Sequence, residues 1–65
     1  MKKIKSREYR GFKLFLSNGS TERLFYVTIE KDGEYLDSTG FKSDEESAWV
    51  AGESLCDYLL FNLKI

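Results

Sequence analysis

Few residues in this chain could do covalent or metal chemistry. Cys56 is the one thiol among 65 residues, and there is no histidine. The commonest general base is therefore missing, together with Cys/His zinc sites and any Ser-His-Asp or Cys-His arrangement. A reactive thiol needs a depressed pKa. The acids Glu53 and Asp57 beside Cys56 push the other way, so Cys56 reads as a small hydrophobe. The carboxylates Glu45, Glu46, Glu53 and Asp57 lack the close spacing and glycine of a calcium loop. They read as a solvated helix face. The glycines at 11, 19, 33, 40 and 52 form no phosphate-binding fingerprint. No catalytic, metal or cofactor-binding residue is expected, and no small-molecule substrate.

What remains is binding chemistry. Residues 1–13 hold six cations (Lys2, Lys3, Lys5, Arg7, Arg10, Lys13) against Glu8, a local charge of +5. Residues 30–57 hold nine acids against Lys31 and Lys42, a local charge of −7. A near-neutral total of −1 thus hides a strongly divided chain. Such a chain offers a cationic edge to an anionic partner and an acidic helix to a basic one. The charged start has no apolar h-region, and Asn18-Gly19-Ser20, a glycosylation sequon, has no secretory signal before it. The longest apolar stretch, Tyr58–Phe61, is too short to cross a bilayer. A cytoplasmic protein without membrane contact is expected.

These residues need a scaffold. Residues 1–8 read as a flexible basic arm, and 9–65 as one domain. A first strand covers Tyr9–Leu16, with Phe12, Leu14 and Leu16 on one face. A second covers Arg23–Lys31, with Phe25, Val27 and Ile29 inward. Asp32-Gly33 signals a type I′ hairpin. A third strand covers Glu34–Phe41, with a bend or bulge at Asp37, Ser38 and Gly40. Ser43-Asp44-Glu45-Glu46 fits a capping box that opens a helix over residues 44–62. Ala48, Ala51, Leu55 and Leu59 form its core stripe, facing the strands and Phe41. The fold class is α+β: β-β-β-α, a three-stranded antiparallel meander packed on one C-terminal helix.

Two surfaces are left over. The helix has a second apolar side at Trp49, Val50, Cys56, Leu60 and Phe61, with Ile65 nearby. Contiguous exposed apolar surface marks an interaction site. A non-enzymatic protein-interaction or regulatory module is expected there, docking on a protein partner or on itself through Trp49, Cys56, Leu60 and Phe61. The uncovered sheet face carries Lys13, Phe15, Leu24, Tyr26, Thr28 and Glu30, with Tyr9, Arg10 and Tyr35 or Leu36 nearby. Aromatics interleaved with cations can stack bases and hold phosphates. Nucleic-acid binding through Arg10, Lys13, Phe15, Arg23 and Tyr26 is the alternative.

Three segments carry a resemblance. Tyr9-Arg10-Gly11 opens the first strand, Phe25-Tyr26-Val27-Thr28-Ile29 fills the second, and Phe41-Lys42-Ser43-Asp44-Glu45-Glu46-Ser47-Ala48 leads into the helix. Their order resembles the ethylene-response-factor type DNA-binding domain, with Phe25 standing where that family has a tryptophan. It is also similar to the N-terminal DNA-binding domains of phage-type tyrosine recombinases. The resemblance implies a three-stranded sheet backed by one helix. It also implies that the exposed sheet enters the major groove, with Arg10, Lys13 and Arg23 as contact residues.

Overall fold

The computed structural model describes residues 3–63. In chain order it contains β1 (Lys3–Tyr9), β2 (Phe12–Asn18), β3 (Phe25–Lys31), β4 (Glu34–Ser38) and α1 (Glu45–Leu63). The sheet order is β1-β2-β3-β4, and every neighbouring pair is antiparallel. The class is α+β, but the sheet has four strands, not three. The expected arm supplies the extra one. Of that arm, Met1 and Lys2 lie outside the described residues, as do Lys64 and Ile65 at the other end.

The first expected strand ran through a turn. Arg10 and Gly11 both take positive φ, 52° and 89°. Two successive positive φ values make a type I′ hairpin, whose twist suits antiparallel strands. Tyr9 therefore pairs with Phe12, and Arg7 with Leu14. The hairpin expected at Asp32-Gly33 has the same geometry, with φ values of 55° and 79°. Both tight turns lie at one end of the sheet.

Phe12, Leu14, Leu16, Val27 and Ile29 are buried as alternation requires, and α1 lies across them. The helix is turned relative to the expected stripe. Ala48, Trp49, Gly52 and Cys56 point inward, with Leu55, Leu59 and Leu60 packed at the margins. Trp49 and Cys56 thus belong to the core and not to a docking surface. Gly52 allows this, because its missing side chain lets the helix approach Val27 and Leu14.

The bulge expected in the last strand is present. The β3–β4 register shifts between Ile29 and Glu30, which leaves Leu36 packed against the core. Past β4, Thr39 Oγ1 accepts from the Val27 N–H at 3.0 Å, and Lys42 bridges Phe25. Inserting a residue reverses the side on which later residues point. A second extra residue between Thr39, opposite Val27, and Lys42, opposite Phe25, reverses that side again, so Phe41, expected in the core, is 57% exposed on the face that Tyr35 occupies.

The helix start also differs by one residue. Asp44 Oδ1 accepts from the Ser47 N–H at 2.7 Å, so Asp44 is the cap and Ser43 precedes it. That backbone donor holds the Asp44 carboxyl below its ordinary pKa. Asp44→Ala should lower the thermal midpoint by about 5 °C, while Ser43→Ala should leave it in place. Thermal melts of the two variants check this, and the reverse order would relocate the cap.

Candidate functional site

Three of the six cations of residues 1–13 meet three of the nine acids of residues 30–57 within the molecule. Lys5, Arg7 and Tyr9 alternate along β1 on the side facing α1, because they pair with Leu16, Leu14 and Phe12. Glu45, Trp49, Glu53 and Asp57 recur every fourth residue along one ridge of α1. Two strand residues rise about 6.7 Å and four helix residues about 6.0 Å, so the rows stay in step. Lys5 Nζ lies 2.8 Å from Glu45 Oε2. Arg7 Nη1 lies 3.6 Å from Glu53 Oε2, and its guanidinium covers the Trp49 ring at 4.2 Å from the centroid. Tyr9 donates to Asp57 at 3.1 Å, and Arg10 Nη1 meets the same carboxylate at 2.9 Å.

These ion pairs are half-exposed, so each contributes little alone. Their joint effect is to lay β1 beside the helix and close over Trp49. The indole N–H donates to Glu45 Oε2 at 3.3 Å. Hydrogen bonds from Lys5 and Trp49 hold the Glu45 carboxyl below its ordinary pKa. Burial, then the Asp57 and Glu53 charges, push the Cys56 thiol up to about 11, which leaves it inert at neutral pH.

The signs give a pH prediction. Depressed carboxylates such as Asp44 and Glu45 contribute fully above the ordinary carboxylate range and lose that contribution as pH falls through their lower folded values. A raised thiol contributes fully below its ordinary pKa and loses that contribution as pH rises toward the folded value. No histidine titrates between them. Stability should be flat from about pH 5 to about pH 8 and fall on both sides. Urea midpoints across the pH range check this, and a step near neutrality would contradict it.

The other face of the sheet is open. Its rows follow from the register. Glu8, Lys13, Glu30 and Tyr35 form one row, and Ser6, Phe15, Thr28 and Ser38 the next. Tyr26 and Phe41 form the far end, with ring centroids 5.6 Å apart in an edge-to-face contact. The Phe41 ring also lies over Gly19, where an added Cβ would come within 2.9 Å of it. Phe41 is thus exposed yet fixed. Tyr35 is 59% exposed, and Lys13 Nζ sits 6.0 Å from the Phe15 centroid.

Of the expected nucleic-acid contacts, Lys13, Phe15 and Tyr26 share this face. Arg10 does not, since it turns to Asp57. Arg23 is exposed in the loop between β2 and β3. Lys13 stands directly between Glu8 and Glu30, so its row is net acidic. Of the expected helix surface, Leu60 is half-buried against the core, and Phe61 is 68% exposed. Tyr58 and Val50 are exposed with it. Phe41 was missed as a surface residue because the two register shifts that set its side, at Leu36 and between Thr39 and Lys42, leave no trace in alternation.

Among the described residues no helix is long and apolar enough to cross a membrane. No family model, curated protein or solved structure matches the chain.

Proposed function

We propose that this chain is a small, non-enzymatic protein-interaction module that docks through the open face of its sheet. The carrying observation is Phe41, an exposed aromatic held in place by Tyr26 and Gly19 on a sheet covered by a helix on one side only. A fixed aromatic contributes contact area without a large ordering cost. Tyr35 and Phe15 extend the same surface. The helix patch is the weaker support, because Trp49 and Cys56 face inward and leave Val50, Tyr58 and Phe61.

The charges favour protein over nucleic acid. Lys5, Arg7 and Arg10 are matched by acids of α1, and Lys13 is flanked by glutamates. A duplex binder needs a basic stripe free for phosphates.

Capture from native lysate by the immobilised chain tests the reading. The double variant Tyr35→Ser/Phe41→Ser should lose the captured protein, while Tyr58→Ser/Phe61→Ser should keep it. Gly19→Ala, which displaces the Phe41 ring, should weaken capture with little change in fold. Loss by the helix variant alone would move the docking surface to α1. Loss on nuclease treatment would favour nucleic acid.

A further inference from the structure

The open face is complementary to itself. We propose that its occupant is a second copy of this chain, stacked sheet on sheet about a two-fold axis parallel to the strands and running between β2 and β3. This rests on the open face being the docking surface.

The register supplies the argument. That axis keeps each cross-strand row at its own level and lays β2 of one copy over β3 of the other, and β1 over β4. In the first row, Lys13 then faces Glu30 of the second copy, and Glu30 faces its Lys13. Glu8 faces Tyr35 of the second copy, whose hydroxyl can donate to a carboxylate. In the next row, Phe15 faces Thr28, and Ser6 faces Ser38, so each large ring meets a small residue. Such interdigitation is how aligned sheets pack about 10 Å apart. The lone cation of each row thus lands on a carboxylate of the other copy.

Size limits the strength. Four strands about 4.8 Å apart and three rows about 6.8 Å apart give roughly 400 Å² of projected face per copy. A standard stable interface buries about 800 Å² per partner. The pair should therefore be weak, half-dissociated at roughly tens of micromolar.

Sedimentation equilibrium of the full chain from roughly 5 to 500 µM reads this directly. The wild type should pass from one chain mass to two. Lys13→Glu places glutamate over glutamate, and Glu30→Lys places lysine over lysine, so each variant alone should associate at least tenfold more weakly. Mixed in equal amounts they should pair, because both cross-copy contacts become attractive. Trp49 emission confirms that each variant is folded. Should either charge variant unfold, Tyr35→Ala, whose side chain lies outside the core, should still weaken the pair severalfold. A wild type that stays a single chain throughout overturns the proposal. So does a dimer that Tyr35→Ala and both charge variants leave intact, or folded charge variants that do not pair on mixing. A single-chain wild type whose lysate capture still depends on Tyr35 and Phe41 would leave the interaction module standing with a different partner.

Discussion

Trp49→Ala should leave the chain largely unfolded in buffer at room temperature. The indole is 4% exposed and belongs to the core cluster. Its ring lies under the Arg7 guanidinium, and its N–H is bonded to Glu45. Truncating a buried tryptophan costs about 3–5 kcal/mol. A chain of 65 residues has about 3–10 kcal/mol in total. The substitution also strips the surface on which β1 closes, so the ladder from Lys5 to Asp57 loses its centre. Far-ultraviolet circular dichroism and urea titration measure the effect. Phe61→Ala is the contrast. It removes a side chain that is 68% exposed and should change stability by no more than about 0.5 kcal/mol. A Trp49→Ala variant that stayed folded would return Trp49 to the surface.

That contrast marks where sequence reasoning works on this chain. β2, β3, the Asp32-Gly33 turn and the span of α1 follow from local signals: alternation, β-branched content, a turn dipeptide and acids at a helix start. β1 does not. The segment Lys3–Tyr9 has one aliphatic residue, Ile4, and its inward positions are Lys5, Arg7 and Tyr9. Long polar side chains facing a core edge look like a solvated arm until their partners are known. Those partners lie some forty to fifty residues downstream, at Glu45, Trp49, Glu53 and Asp57. The divided charge was the visible half of this ladder, and only the fold shows that it closes internally. The same blindness explains the helix face. Both Leu55 and Cys56 are apolar, so composition alone cannot choose between stripes a fraction of a turn apart. Gly52 is what decides, because α1 comes closest to the sheet where a side chain is missing. Of the candidate site, Phe15 and Tyr26 were legible by alternation, and Tyr35 only as one of two choices with Leu36. Phe41 was not, because its side depends on two register shifts, at Leu36 and between Thr39 and Lys42, that alternation does not show.

Gly52 carries the other large effect. A Cβ added there would lie 2.8 Å from Val27 Cγ1 and 3.1 Å from Leu14 Cδ2. Both atoms belong to fully buried side chains, so neither can swing away. The helix itself must lift. Lifting a rigid helix of 19 residues loosens Ala48, Trp49 and Cys56 together. Two terms compete in Gly52→Ala. Replacing glycine inside a helix gains about 1 kcal/mol, and overpacking a core costs about 1–3 kcal/mol. With a contact below 3.0 Å against immobile neighbours, overpacking should win, for a net loss of about 1 kcal/mol. Gly52→Val adds two more carbons at the same point and should cost about 3 kcal/mol, enough to unfold a large share of the molecules. Urea titrations of both variants, followed by Trp49 emission, give the order wild type, then alanine, then valine. A Gly52→Ala variant more stable than wild type would mean that helix propensity outweighs contact. The helix would then stand off the sheet, and Trp49 would have room to turn outward.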